Sequence, residues 1–330
     1  MTVVLRAAMD QGLAALQRQL RALAPDVGLV TDGEQALEHL TPDPRPPRLV
    51  GADVIEAGAM RAHRVFGEPI VAFAAFLDGT QSSRVLAYVD SVPILLGTVA
   101  AAIRIRRNRR LTTWHRPIVR RKLYGALTAL SAANRRALES LGVPLVEAMT
   151  SAGAAAHPFT LRDEAVHRIQ EDREAAEQEL AERWCHHEHD PLFIDGSIGG
   201  SERVAAAECT VGVVKSHRTL YAEGDALQAI FALRRSERSS VFRVTSPKRV
   251  PVASWYLRLR DTVGHDPMWG LVRVEIANPA RVDLGAIGDK ADAVSRWILA
   301  EATPLAMPDA RWDKMVYGIR DCEEFLRAVT

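Results

Sequence analysis

Two short segments of this 330-residue chain end in the same order of residue types. Phe76-Leu-Asp78-Gly79-Thr80 and Phe193-Ile-Asp195-Gly196-Ser197 each place an aspartate, a glycine and a hydroxyl residue after apolar residues. The apolar run is typical of a buried strand, and the glycine permits a tight turn. If the two strands are neighbours in one sheet, their carboxylates converge and repel each other unless a divalent cation lies between them. Asp-Gly is also ordinary turn chemistry, but two copies that each follow an apolar strand favour half of a metal site.

A third carboxylate is expected from the helix that precedes Asp195. Thr160 and Asp163 predict an N-cap, and the apolar stripe that follows predicts a helix that runs to about residue 188. Because successive side chains are about 100° apart around a helix, Glu177 lies at the edge of that stripe, whereas Glu174 points further outward. We therefore predict that Glu177 faces the sheet, with Glu174 as the reserve.

The densest basic cluster follows three predicted strands at 70–78, 84–89 and 93–105, whose short polar connections predict antiparallel neighbours. Its members are Arg104, Arg106, Arg107, Arg109 and Arg110. A charge run of this kind is commonly a solvated surface. Beside a metal site, the same cations would hold a phosphate backbone, so both interpretations stay open.

Further along the chain, helical and strand patterns alternate, which is typical of an α/β fold in which helices flank a sheet. We predict helices at 117–141, 224–234, 284–302 and 320–329, and strands at 210–215, 239–245, 252–260 and 270–277. The strand at 210–215 ends in Lys215. Leucines at helical spacing predict a peripheral helix at 4–23, and the proline-rich segment 41–47 predicts an arm. We place the core domain at 49–330 and the arm at 1–48.

The composition points to a globular protein whose basic surface is local. Lysine and arginine number 42 against 41 acidic residues, and 48% of the residues are hydrophobic. The chain therefore has no global charge excess of the kind that indicates nucleic-acid binding. Cys185, Cys209 and Cys322 are widely spaced and odd in number, which favours a reducing cytoplasm over a disulfide framework. No segment is apolar for long enough to predict a membrane span.

The ordered set formed by the two aspartate segments, Val211-Gly-Val-Val-Lys215 and Ser254-Trp-Tyr-Leu-Arg-Leu259 resembles the NurA family of DNA-end-processing nucleases. The resemblance covers roughly residues 70–330. It implies an RNase H-like fold with a mixed sheet flanked by helices, and manganese- or magnesium-dependent hydrolysis of DNA in the cytoplasm. It also implies a homodimer that docks on a HerA-type hexameric ATPase during end resection, repair or phage defence.

The resemblance assigns roles residue by residue. Asp78 and Asp195 match the two metal-binding aspartates, and Glu177 matches the intervening glutamate. Lys215 matches a strand-end lysine near the phosphate, and Tyr317 matches a tyrosine of the C-terminal motif. The family commonly carries a histidine about two helical turns after that tyrosine.

That histidine is absent, because no histidine follows His265 in this chain. Asp313, Asp321 or Glu323 is an alternative ligand. A second hypothesis is therefore a catalytically impaired subunit that binds DNA or docks on the ATPase.

Three other activities are less well supported. An actin-like or sugar-kinase-like ATPase also uses Asp-Gly-Thr and Asp-Gly-Ser loops, but it needs a separate glycine-rich motif, and Gly199-Gly200 is too close to Asp195. The run from Cys185 to Asp190 is too short for its side chains to surround one zinc ion. No Gly-x-Ser-x-Gly segment occurs, which argues against a serine hydrolase of that type.

Overall fold

The computed structural model describes residues 46–108, 110–149, 157–247, 249–277, 286–302, 314 and 316–329. The strands are β1 (Arg48–Leu49), β2 (Asp53–Val54), β3 (Ala62–Arg64), β4 (Ala75–Val89), β5 (Val92–Arg107), β6 (Arg110–Thr113), β7 (Ile118–Gly125), β8 (Leu145–Glu147), β9 (Leu192–Asp195), β10 (Thr210–Val214), β11 (Thr219–Leu220), β12 (Glu237–Ser239), β13 (Phe242–Val244), β14 (Val252–Arg258) and β15 (Leu271–Ile276). The helices are α1 (Ala132–Glu139), α2 (Pro158–His187), α3 (Glu202–Ala206), α4 (Gly224–Phe231), α5 (Ile287–Glu301) and α6 (Tyr317–Val329).

One large mixed sheet organises the molecule. Its central strands lie in the order β7-β5-β4-β9-β10. The pairs β4/β5 and β5/β7 are antiparallel, whereas β4/β9 and β9/β10 are parallel. Numbered along the chain, this is a 3-2-1-4-5 arrangement with an antiparallel second strand, and α2 connects its third and fourth strands. The predicted α/β class and RNase H-like topology are therefore confirmed.

Beyond β10, the sheet continues through β15, β14, β13 and β2. The pairing of β10 with β15 is antiparallel, and so is the pairing of β14 with β15. The strands predicted at 252–260 and 270–277 thus correspond to β14 and β15. The single strand predicted at 239–245 is instead two short strands, β12 and β13.

The turn predicted at Asp78-Gly79 is wrong, because both residues lie inside the continuous strand β4. The chain reverses at Asp90 and Ser91, whose φ values of 50° and 64° suit a two-residue hairpin between β4 and β5. Gly79 pairs in register with Ala101 of β5. The strands predicted at 70–78 and 84–89 are therefore parts of one long strand that begins at Ala75.

The helix predicted at 117–141 is also wrong over its first half, which forms strand β7 and a short 3-10 turn. Lys122 and Tyr124 lie two residues apart, so they project from the same face of the strand. Both donate hydrogen bonds to Oδ2 of Asp172 on α2, at 2.5 and 2.7 Å. Only Ala132–Glu139 is helical, capped by the hydroxyl of Ser131.

Helix α2 spans 30 residues and covers one face of the sheet. Pro158 fits the first turn, where the missing N–H is not needed. The cap is His157, whose ring accepts a hydrogen bond from Phe159 N, and not the predicted Thr160. Buried residues of the helix pack against the sheet through its apolar stripe, including Ala176, Leu180 and Trp184.

Helices α5 and α6 cover the opposite face. Phe76 and Phe193, neighbours on β4 and β9, pack there together with Ile298 and Ile319. The two C-terminal helices correspond to those predicted at 284–302 and 320–329, although α6 begins earlier, at Tyr317. The helix predicted at 4–23 and most of the proline-rich arm lie outside the described residues. The division into an arm and a core domain therefore stays a prediction.

Candidate active site at the centre of the sheet

Asp78 and Asp195 lie side by side at the centre of the sheet. Leu77 of β4 pairs in parallel register with Ile194 of β9, and the two aspartates are the next residues of these strands. Neighbouring strands are about 4.8 Å apart, and residues in register project to the same face. The two carboxylates, 117 residues apart in sequence, therefore occupy one location.

Lys215 approaches Asp195 from the next strand. Val213 of β10 pairs with Asp195, and Lys215 follows two residues later. Its Nζ donates a hydrogen bond to Oδ2 of Asp195 at 2.7 Å. The ammonium group of Lys215 is thus held by a carboxylate, and its predicted role near the phosphate stays a prediction.

Glu177 approaches this part of the sheet from α2 and lies against Gly79, on the face of β4 opposite to the side chain of Asp78. A Cβ atom at residue 79 would be only 2.8 Å from Cγ and Cδ of Glu177, a distance that real Cβ atoms do not show. Glycine at this position leaves room for the end of the Glu177 side chain, which an added methyl group would displace. Arg173, one helical turn before Glu177, forms an ion pair with it and also donates a hydrogen bond to Gln81 of β4 at 3.2 Å.

The environment of Asp78 disfavours its negative charge. The side chain is 8% exposed. Burial, followed by the negative charges of Asp195 and Glu177, holds the pKa of Asp78 well above its ordinary value of 3.8, although Lys215 and a 2.7 Å hydrogen bond from Gly79 N act in the opposite direction. An additional positive charge at this location would therefore stabilise the ionised form of Asp78.

Glu177 is affected in the same way. Burial raises the pKa of Glu177 to about 7, while the ion pair with Arg173 lowers it and the charges of Asp195 and Glu174 raise it. The carboxyl group thus changes its protonation near neutral pH. A group with this pKa can exchange a proton with water at physiological pH.

Three carboxylates and an ammonium group suit the chemistry of a small divalent cation, which prefers oxygen ligands. Among the described residues, no three histidine, cysteine, aspartate or glutamate side chains form a ready-made cation cage. Arg173 forms an ion pair with Glu177, and Lys215 forms one with Asp195. The repulsion between the carboxylates is the observation that fits a cation here, because a cation would relieve it.

Glu275 is a buried carboxylate that the sequence reading missed. It lies on β15 and is 1% exposed. Its Oε2 accepts hydrogen bonds from Ser197 Oγ at 2.8 Å and Ile198 N at 3.0 Å, and its Oε1 accepts one from Arg273 at 2.6 Å. Glu275 therefore fixes the loop that follows Asp195. A charged residue within the apolar segment Leu271–Ile276 was the available signal.

Two residues of the predicted basic cluster serve as anchors between the sheet and the C-terminal helices. Arg106 donates two hydrogen bonds of 2.8 Å to Glu301 of α5. Arg104 donates one of 2.5 Å to Asp321 of α6, and its guanidinium lies 4.8 Å from the ring centre of Phe325. Both side chains are engaged within the protein, so their role in DNA binding stays a prediction.

The other members of the cluster and the C-terminal residues are placed less centrally. Arg107 and Arg110 are exposed, and Arg109 lies outside the described residues. Tyr317 is the first residue of α6 and is 42% exposed. Their predicted roles also stay predictions.

The alternative ligands at the C-terminus are mostly engaged elsewhere. Asp321 pairs with Arg104, and Glu323 pairs with Arg320 and Arg327. Asp313 lies outside the described residues. Asp321 is close enough to influence Cys322, whose pKa is raised by burial and by the charges of Asp78 and Asp321.

The fold and site define an RNase H-like protein with a central carboxylate cluster. No family model matches the sequence, and no curated protein matches it. Among solved structures, the crystal structure of the NurA nuclease from Sulfolobus solfataricus is similar, with 13% identity and a TM-score of 0.46 over 80% of this chain and 81% of that chain. Within the described ranges, no helix has both the length and the apolar character needed to cross a bilayer.

Proposed function

We propose that this chain is a divalent-metal-dependent deoxyribonuclease. The observation that carries the proposal is the adjacency of Asp78 and Asp195 on parallel strands, with Glu177 approaching the same part of the sheet over Gly79. Carboxylates gathered in this way clamp the cations that phosphodiester hydrolysis uses. The cation is manganese or magnesium.

Asp78, Asp195 and Glu177 would hold the cation, which supplies an activated water and stabilises the charge that develops on the phosphate. Glu177 would complete the set of cation ligands or orient that water. Lys215 would turn from Asp195 towards the phosphate once a cation neutralises the carboxylates. Lys215 would contact the phosphate backbone without reading bases, which suits an enzyme that acts on DNA irrespective of sequence.

The finer assignments follow the family resemblance. The protein would act in the cytoplasm as a homodimer on a HerA-type hexameric DNA translocase, in end resection, repair or phage defence. Tyr317 would belong to the catalytic surroundings, and the arginines at 104, 106, 107, 109 and 110 would contact the DNA backbone.

The experiment measures degradation of linear DNA by the purified protein with manganese, with magnesium and with EDTA. Asp78→Asn and Asp195→Asn keep the side-chain size and remove the charge, and Asp225→Asn, on the exposed first turn of α4, is the matched control. We expect cation-dependent cleavage that both site variants lose and the control retains. Equal cleavage by all four proteins would contradict the site.

The catalytically impaired alternative rests on the absence of any histidine after His265. It predicts a protein that binds manganese and DNA but does not cleave. Measuring manganese binding by electron paramagnetic resonance alongside cleavage separates the two functions. Binding that depends on Asp78 and Asp195, without cleavage under any cation, would establish the alternative.

A further inference from the structure

A second cavity adjoins the candidate active site. The first cavity, about 180 Å³, is lined by Glu177 and Asp195 but not by Asp78, and it lies between α2 and the loop after Asp195; the second cavity has a volume of about 270 Å³. Ser197 and Arg249 line both of them. Because Ser197 is only two residues from Asp195, a ligand in the second cavity would be next to one bound at the carboxylates.

Positive charge dominates the second cavity. Its arginines are Arg48, Arg218, Arg249 and Arg273. Among the described residues, Glu275 is the single carboxylate in its lining, and that group already accepts hydrogen bonds from Ser197, Ile198 and Arg273. The cavity thus retains an excess of positive charge, which selects an anionic ligand.

Two of these arginines, Arg48 and Arg218, come from distant parts of the sequence and are brought together by strand pairing. Strand β1 pairs in parallel with β11, so Arg48 lies beside Thr219, and Arg48 N donates a hydrogen bond to Arg218 O at 2.7 Å. The side chains of Arg48 and Arg249 are exposed. Arg48 is therefore brought across about 170 positions of sequence to the rim of the cavity.

The neutral part of the lining suits a sugar-phosphate chain. Hydroxyl groups come from Ser216, Thr219 and Ser246, and Tyr221 adds an aromatic ring. The guanidinium of Arg273 lies 5.1 Å from the centre of that ring. Arginines combined with hydroxyl donors and one aromatic ring are the groups with which proteins hold a nucleic-acid backbone without reading its sequence.

We propose that this cavity, the arginine groove, binds the backbone of a nucleic-acid strand next to a phosphate bound beside Asp195. The inference deepens the proposed nuclease function and rests on it for the choice of a polymer as ligand. The groove holds the nucleotide that adjoins the scissile phosphate on the side of Arg249. It is separate from the basic cluster at residues 104–110.

The test measures binding of a fluorescein-labelled ten-nucleotide single-stranded oligothymidylate by anisotropy in EDTA. The double variant Arg48→Ala/Arg249→Ala removes the two exposed guanidinium groups. The matched control, Arg234→Ala/Arg235→Ala, removes two exposed arginines at a different cavity. We expect at least a tenfold loss of affinity in the groove variant and a change within twofold in the control. The salt dependence should also weaken, by about 1.4 in the slope of log affinity against log salt, since each phosphate contact with a single strand contributes about 0.7.

Two results would overturn the groove. One is unchanged affinity and salt slope in the Arg48→Ala/Arg249→Ala variant when its thermal unfolding matches the wild type. The other is competition by inorganic phosphate or thymidine monophosphate as effective as that by the unlabelled strand, which would indicate a site for free phosphate compounds. Strand binding that depends on these arginines in a protein that never cleaves DNA would refute the nuclease and leave the groove intact.

Discussion

The two Asp-Gly segments share their sequence pattern but not their structure. Asp78-Gly79 lies within the 15-residue strand β4, whereas Asp195 ends the four-residue strand β9 and Gly196 turns the chain away with a φ of 138°. A side chain at residue 79 would displace the end of Glu177, whereas Gly196 is needed for its backbone conformation. The Asp-Gly dipeptide therefore contains glycine for a different reason in each segment, while the two aspartates lie on neighbouring strands.

The two aspartates also differ in how their charge is balanced. Asp195 receives a hydrogen bond from Lys215, whereas Asp78 is buried beside other carboxylates. Lys215 therefore balances the charge of Asp195, whereas no residue donates a comparable ion pair to Asp78 among the contacts described above. This difference makes Asp78 and its neighbour Glu177 the more sensitive half of the site.

After the loss of cleavage expected for the two aspartate variants, the largest effect is expected from Glu177. Glu177→Gln removes a carboxylate from the cluster and should lower the rate of DNA cleavage about 10³-fold, comparable to the loss of a charge-stabilising group in other enzymes. Glu174→Gln, one turn earlier on the exposed side of α2, should stay within about twofold of wild type. Rates are compared under saturating magnesium or manganese. If Glu174→Gln lowers the cleavage rate more than Glu177→Gln does, Glu174 and not Glu177 is the third carboxylate of the site.

The next effect concerns stability and pH in EDTA. Because the pKa of Glu177 is raised from 4.5 to about 7, the folded protein keeps a proton that the unfolded chain releases. Its contribution to stability is complete below pH 4.5 and is lost as the pH rises through 7. Between pH 4.5 and 8, the free energy of unfolding of wild type should fall by about 3 kcal/mol more than that of Glu177→Gln. Urea denaturation at the two pH values checks this, and a parallel fall in both proteins would contradict it.

Gly79→Ala tests the requirement for space. The added methyl group should displace Glu177 by about an ångström and lower the cleavage rate about 10²-fold. A double-mutant cycle with Glu177→Ala shows whether the effect acts through that glutamate. The double variant should cleave no more slowly than Glu177→Ala alone. Additive losses would mean that Gly79 matters for another reason.

Gly196→Ala should have the smallest effect on cleavage, because nothing lies within 4 Å of the added carbon. The cost is backbone strain, which should lower the free energy of unfolding by about 1–3 kcal/mol and the cleavage rate less than about tenfold. Gly51→Ala, in equally open space without a positive φ, is the control. If Gly196→Ala and Gly51→Ala lower the free energy of unfolding equally, the positive φ of Gly196 does not carry the expected cost.

The sequence allowed prediction of those features that depend on local pattern. The strands that carry the two aspartates follow from their apolar runs, and the inward position of Glu177 follows from helical periodicity. The alternation of helices and strands indicated the α/β class. These features are confirmed because each depends on residues that are close together in the sequence.

The failures concern features that depend on distant partners. The leucines at 123, 127 and 130 have helical spacing, yet β7 forms because β5 offers a hydrogen-bonding neighbour and Asp172 binds alternate side chains of the strand. The turn at Asp78-Gly79 was wrong because the reason for Gly79 lies on α2, about 100 positions away. The arginines at 104 and 106 have acidic partners near the C-terminus that no local pattern reveals.

Strands β4 and β9 occupy the middle of a sheet whose path ends in β2 and β8, of two and three residues. Amide hydrogens in central strands exchange with solvent only when the whole domain opens, whereas those at sheet edges exchange through local fluctuations. The peptide groups that hold Asp78 and Asp195 should therefore be among the slowest to exchange in deuterated water. On heating, loss of the cluster should coincide with cooperative melting of the domain instead of preceding it.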